Sequence, residues 1–128
     1  MAITNQTFFD TLADAGYVRD KNLDVVFKTA EGDMTKMPSL VRQVLDQKVE
    51  ILVVSSSPGC AAAKAATTTI PVLCISVQDD PVKAGLTADI SYGTDNLVGV
   101  HSYLPTGIVE QLRLLKTIKP DLNILAII

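Results

Sequence analysis

The chain has 128 residues, of which 48% are hydrophobic and 20% charged, so its size and apolar content are those of one globular domain rather than a disordered segment. Its formal net charge of −3, without a cluster of lysine and arginine, argues against nucleic-acid binding, which needs a basic face. No apolar run approaches the ~20 residues of a bilayer-spanning helix, and the first six residues lack the pattern of a secretory signal, so neither is predicted.

Apolar periodicity predicts helices and strands in alternation along the chain. Spacings of three and four residues predict helices over residues 4–15, 37–47, 60–67 and 108–117. Runs of β-branched residues predict strands over residues 23–27, 50–54, 70–77, 96–100 and 122–128, with a short edge strand at 89–91. This alternation favours right-handed crossovers and a mainly parallel sheet covered on both faces, which is a doubly wound three-layer α/β sandwich.

Both ends of this pattern are unusual for a doubly wound domain. The chain opens on a helix where a central strand is expected, and it closes on an apolar strand at residues 122–128. An apolar strand needs neighbours, because unpaired backbone groups are costly. We therefore expect residues 1–128 to form one incomplete unit. Our hypothesis is that residues 122–128 fill the vacant place in the sheet, by folding back or by strand exchange in a homodimer.

Polar turns follow three of the predicted strands. Ligands of open parallel sheets bind beyond the carboxyl ends of the strands, so we predict that these turns converge on a small polar solute. The predicted ligand-binding residues are Ser55, Ser56, Ser57, Pro58, Ser76, Gln78, Asp79 and His101. The serine turn leads into a helix N-terminus, which suits a carboxylate, although simple N-capping is the alternative. It lacks the glycine spacing and the lysine of a phosphate-binding loop.

Other chemistry is open to the same polar residues. Asp79 and Asp80 could hold an ammonium group, coordinate Mg²⁺ or cap the turn at Pro81, and capping is the ordinary role of aspartate before proline. The single histidine, His101, is interpreted as a hydrogen-bonded wall residue. A hydrolase that uses Ser57, His101 and Asp79 is a further alternative, but the sequence lacks the spacing of a nucleophile elbow.

The two cysteines give no sign of a metal site. Cys60 and Cys74 lie far apart in the sequence and have no paired cysteine or histidine nearby. Cys74 lies in an apolar run and is interpreted as a small core residue. Cys60 follows Pro58-Gly59 at a helix start, where a reactive thiol is the less favoured alternative to packing. No catalytic residue, metal or cofactor is predicted.

Six passages in this order resemble a known family. They are residues 17–23 (YVRDKNL), 30–33 (AEGD), 61–72 (AAAKAATTTIPV), 76–86 (SVQDDPVKAGL), 96–100 (NLVGV) and 110–120 (EQLRLLKTIKP). The passages are similar to those of ABC transporter substrate-binding proteins with the type I periplasmic binding fold, whose members include binders of tryptophan and tyrosine. The match covers most of the chain, although the family pattern has one acidic residue fewer than Asp79-Asp80.

The resemblance implies a flavodoxin-like N-terminal lobe of a two-lobed solute clamp that delivers an amino acid to an ABC permease. It implies a periplasmic or lipid-anchored extracytoplasmic location and no enzymatic activity. Residues 107–128 correspond to the start of the second lobe, and the family's first strand is missing before residue 4. With the cleft halved, we do not expect tight solute binding by this chain alone. The alternative from another class is a flavodoxin- or receiver-like interaction module without a role in transport.

Overall fold

The computed structural model describes residues 6–91, 93, 95–104 and 106–121, with Ile108 described by its backbone alone. The helices are α1 (Gln6–Asp14), α2 (Met37–Leu45), α3 (Ser57–Ala66) and α4 (Gly107–Ile118), and a 3₁₀ turn at Met34–Lys36 leads into α2. The strands are β1 (Leu52–Ser55), β2 (Val72–Val77) and β3 (Leu97–His101). None of the described helices is long and apolar enough to cross a bilayer.

The three strands form a parallel sheet in the order β1-β2-β3, which confirms the predicted α/β class. Leu52 is opposite Val72, and Val72 is opposite Leu97, so the strands begin at the same level. A parallel pair requires a crossover connection, and α3 supplies the one between β1 and β2. The Asn96 side chain donates to the carbonyl oxygens of Thr67 and Ile70, at 3.2 and 2.6 Å, and so holds the start of β3 beside the chain that enters β2.

Helices α2 and α3 cover one face of the sheet. The buried cluster between them takes alternate residues of the strands and the inner faces of both helices; it includes Val41, Val44, Leu52, Val54, Cys60, Ala63, Val72, Cys74 and Leu97. Cys60 and Cys74 are fully buried there and joined by a disulfide between α3 and β2. The prediction that Cys74 is a core residue is confirmed, and its sulfur is in addition bonded to that of Cys60.

The opposite face of the sheet is more open within the described residues. Val98 and Val100 of β3 point away from the α2–α3 side, and they are 57% and 68% exposed. Helix α1 has the predicted apolar stripe but buries none of its residues. The packing that the described part of the molecule shows is therefore concentrated on the α2–α3 side of the sheet.

Three expectations about individual elements need correction. Residues 23–27 form no strand in the described structure. Leu23 makes an isolated β-bridge with Arg19 instead. Their composition suits a strand, but a strand also requires a hydrogen-bonded neighbour. Residues 89–91 form a turn instead of an edge strand, because the Asp89 carboxylate accepts from the Ser91 N–H at 2.8 Å. The predicted helix at residues 60–67 begins earlier, at Ser57, since proline is tolerated in the first turn.

The predicted strand at residues 122–128 lies outside the described residues. The hypothesis of strand exchange through it therefore stays a prediction.

Candidate functional site

The carboxyl ends of all three strands meet at one edge of the sheet. Ser55 is opposite Ile75, and the Ser56 N–H donates to the Ile75 carbonyl oxygen at 3.3 Å. On the other side of β2, the Ser102 N–H donates to the Val77 carbonyl oxygen at 2.9 Å. The serine turn (residues 55–58), the Gln-Asp turn (residues 76–79) and the end of β3 therefore lie side by side. We call this edge the polar rim; its predicted convergence is confirmed, and its role in binding stays a prediction.

Ser56, in the serine turn, has an unusual backbone conformation. Its φ of 84° and ψ of 149° lie in a region that residues with a side chain rarely adopt. The Ser56 Oγ accepts from the Gly59 N–H at 3.4 Å and so caps α3. Pro58 has no N–H, and that of Gly59 is taken by the cap, so Ser57, which is 8% exposed, carries the remaining N–H of the first turn. The N-capping alternative is confirmed, and an anion site at this turn stays a prediction.

A bulge shapes the Gln-Asp turn. The register between β2 and β3 shifts after Cys74, and pairing resumes with Val77 opposite His101. Ser76 sits within this shift with a positive φ of 57°. An extra residue of this kind bends a strand and changes the direction of the side chains that follow it. Ser76, Gln78 and Asp79 are all exposed at the rim.

The two adjacent aspartates have different roles in the structure. The Asp80 Oδ1 accepts from the N–H groups of Val82 and Lys83, at 3.0 and 3.3 Å, and its Oδ2 lies 3.8 Å from the Lys83 Nζ. Asp80 is therefore the residue that caps the turn at Pro81. The Asp79 side chain is exposed, and its carboxylate takes no part in this cap.

His101 stands at the end of β3 between two cavities. An open cavity of about 530 Å³ is lined by Asp80, Val82, Ala88, Asp89, Ile90, His101 and Tyr103. A smaller one of about 180 Å³ lies beside β3, with Val77, Leu86 and Leu97 in its wall together with His101. The His101 Nδ1 is buried and has no hydrogen-bond partner among the described residues, and the predicted role of His101 as a hydrogen-bonded wall residue stays a prediction. Neither cavity is lined by the predicted serines, Pro58, Gln78 or Asp79.

Met34 and Met37 belong to the surroundings of the serine turn, which sequence reasoning missed. The Met34 Sδ lies 4.0 Å from the Ser56 Oγ. A Cβ built on Gly59 would lie 2.5 Å from the Met37 Cε, so this residue packs directly on the start of α3. The segment before α2 therefore lies next to the polar rim. No periodicity in that segment signals this contact, because it depends on how the chain returns to the sheet.

The rim does not assemble the hydrolase alternative. Ser57 follows β1 and His101 ends β3, with β2 between them. Two strand spacings correspond to about 10 Å, which is beyond hydrogen-bond reach for a nucleophile and its base. Within the described residues, no group of three histidine, cysteine or acidic side chains is placed to hold a metal ion.

Replacing Ser76 by glycine should raise the free energy of unfolding by about 1 kcal/mol, because glycine adopts a positive φ without steric cost. The matched control is Ser55→Gly, at a regular position of β1, which should lower it by about 0.5–1 kcal/mol. Urea denaturation followed by far-UV circular dichroism measures both. Equal losses in the two variants would contradict the strain that we assign to Ser76.

Comparison with known proteins identifies relatives over nearly the whole chain. The family model described as ABC transporter substrate binding protein matches residues 1–128. A tyrosine-binding protein of Clostridioides difficile is 31% identical over 121 residues, which are 94% of this chain and 34% of that protein.

Solved structures agree with this relationship. A conserved domain protein from Vibrio cholerae matches with a TM-score of 0.80 and 31% identity, over 91% of this chain and 38% of that one. An ABC domain from Streptococcus pneumonia in complex with L-Trp matches with a TM-score of 0.73 and 27% identity, over 88% of this chain and 36% of that one. The chain thus spans little more than a third of the length of these relatives.

Proposed function

The chain belongs to the family of ABC transporter substrate-binding proteins, and from this membership we propose that its polar rim forms part of the site for an amino acid. The observation that carries the proposal is the alignment of three polar turns at the carboxyl edge of one parallel sheet. A tyrosine-binding relative and an L-Trp complex of another relative support an amino acid as the solute. We also propose an extracytoplasmic location and an ABC permease as the partner that receives the solute.

The two ends of an amino-acid backbone fit different parts of the rim. We assign the carboxylate to the start of the ten-residue helix α3, where the helix dipole is positive and the buried Ser57 carries the remaining N–H of the first turn. We assign the ammonium group to the Asp79 carboxylate and the Gln78 amide, which are both exposed on the neighbouring turn. This arrangement needs no metal or cofactor, because each charge of the zwitterion meets a complementary group of the protein.

Titration with L-tryptophan tests the proposal. We expect the backbone amide resonances of residues 55–57, 59 and 76–79 to shift in heteronuclear NMR spectra, while those of α2 stay in place. NMR suits this chain because it detects weak binding, and a site on one lobe buries only part of its ligand. A spectrum that is unchanged in a large excess of L-tryptophan would overturn the amino-acid assignment.

Asp79→Asn tests the place of the ammonium group. The variant should weaken L-tryptophan binding by roughly tenfold, because a hydrogen bond to a charged group is replaced by one to a neutral amide. Asp46→Asn is the control, since Asp46 is an exposed carboxylate at the end of α2. The same loss in both variants would indicate a general charge effect and contradict the assignment to Asp79.

A further inference from the structure

The disulfide lies directly behind the polar rim. Cys60 is in the first turn of α3, and Cys74 is in β2, the central strand of the three. Both side chains are fully buried, and their Cα atoms are 5.8 Å apart, within the range that a disulfide bridges. The bond therefore ties the helix that follows the serine turn to the strand that precedes the Gln-Asp turn.

Few bonds separate this crosslink from either turn. The Cys60 N–H donates to the Ser56 carbonyl oxygen at 3.0 Å and closes the first turn of α3 on its cap residue. Cys74 is the last residue in regular register before the bulge that contains Ser76. The Cys60 Sγ also lies 3.7 Å from the carbonyl oxygen of Val54, which pairs with Cys74. The crosslink thus sits over the β1–β2 pair, immediately before both strands reach the rim.

Both turns also have backbone conformations that need support. Ser56 and Ser76 each have a positive φ, and such conformations persist only where the surrounding structure holds them. Hydrogen bonds of the sheet and the cap of α3 supply part of this support. A covalent bond between α3 and β2 supplies more, because it limits how far the helix start can move from the strand.

We propose that the Cys60–Cys74 disulfide positions the serine turn against the Gln-Asp turn, so that the solute site has its binding geometry only in the oxidised chain. The part of this proposal that concerns solute affinity rests on the proposed function. The part that concerns the position of the turns does not, since it follows from the placement of the crosslink.

The bond forms by thiol–disulfide exchange with a disulfide-bearing oxidant, such as oxidised glutathione or a disulfide oxidoreductase. The thiolate of one cysteine attacks the oxidant, releases one thiol from it and forms a mixed disulfide. The thiolate of the other cysteine then displaces the second thiol and closes the Cys60–Cys74 bond. The two cysteines lose two electrons and two protons, and the oxidant is reduced to two thiols.

Alkylation of the denatured, unreduced chain with iodoacetamide tests the bond itself. Mass spectrometry should show no added carbamidomethyl group before reduction and two after it. Two modified cysteines before reduction would overturn the proposal.

Hydrogen–deuterium exchange tests the position of the turns without any ligand. In the oxidised chain, peptides that cover residues 55–59 and 76–79 should exchange about tenfold more slowly than in the Cys60→Ala/Cys74→Ala variant. Peptides of α2 should differ much less. Val72→Ala is the matched control, because it removes buried side chain from the same strand at the end away from the rim. A Val72→Ala variant with turns as fast as those of the double variant would overturn the positioning role.

If the double variant does not fold, the same comparison is made between the oxidised chain and a chain reduced with a phosphine and kept reduced. Faster exchange in the turns of the reduced chain supports the proposal, and identical exchange overturns it. L-tryptophan titrations of both forms then separate the two hypotheses. Binding lost by roughly tenfold on reduction supports the affinity part, and equal binding by both forms overturns it. An oxidised chain that binds no L-tryptophan refutes the proposed function but leaves the exchange result to be judged separately.

Discussion

Replacing Gly99 by alanine should lower the free energy of unfolding by about 2–3 kcal/mol, because the added methyl group has no room beside β2. A Cβ on Gly99 would lie 2.6 Å from the carbonyl oxygen of Cys74 and 2.8 Å from its Cβ. One atom belongs to the backbone and the other is the Cβ of a disulfide-bonded side chain, so neither can move away by a change of rotamer. The clash of the new methyl group with Cys74 is removed only if β2 and β3 move apart, which strains the hydrogen bonds between them.

Urea denaturation followed by far-UV circular dichroism measures this loss. Val98→Ala is the matched control, because Val98 precedes Gly99 in β3 and its side chain is more than half exposed on the other face. We expect the control to change the free energy of unfolding by less than about 1 kcal/mol. A Gly99→Ala chain as stable as the wild type would show that β2 and β3 lie farther apart than described.

Loss of the disulfide should cost about 3 kcal/mol. The two cysteines are 14 positions apart, and in the chain-entropy account a closed loop of about 15 residues stabilises a fold by that amount. The midpoint of urea denaturation should therefore fall when the chain is treated with a reductant that keeps both thiols reduced. The slope of the transition should change as well, since the unfolded chain becomes less compact once the loop is open.

The Cys60→Ala/Cys74→Ala variant separates the crosslink from the packing of the sulfur atoms. Reduction leaves both sulfurs in the core, whereas alanine removes them, so the variant should be less stable than the reduced wild type. Reductant should have no effect on the variant, which makes it the control for unspecific effects of the reagent. An unchanged denaturation midpoint in the reduced wild type would contradict the assigned contribution of the bond.

The elements that sequence patterns predicted best are those that the described sheet and its helices bury. The β-branched runs at residues 50–54, 70–77 and 96–100 coincide closely with β1, β2 and β3. Residues 23–27 have a similar composition but form no strand, because pairing depends on a neighbour that composition does not encode. The sequence correctly predicted that the serine turn and the Gln-Asp turn lie at the same edge of the sheet, since the carboxyl ends of neighbouring parallel strands always share an edge.

Local chemistry within the rim was less predictable. The sequence suggested capping by an aspartate before Pro81 and also a ligand-binding carboxylate, and the hydrogen bonds assign the cap to Asp80. The positive φ of Ser56 and Ser76 carried no signal, because glycine or asparagine would normally mark such positions. The contact of Met34 with the serine turn, and the pairing of Cys60 with Cys74, bring together residues that are distant in sequence.

The valines of β3 have a practical consequence for assays. Val98 and Val100 form a hydrophobic stripe on the side of the sheet that the described residues leave open, and patches of this kind attract apolar probes. Anilinonaphthalene dyes would bind this stripe and fluoresce on the native chain. A dye-based melting curve would therefore start at high fluorescence, and the increase in fluorescence on unfolding would be smaller. Circular dichroism reports on the backbone and avoids this background. A mild non-ionic detergent would limit aggregation through the same stripe.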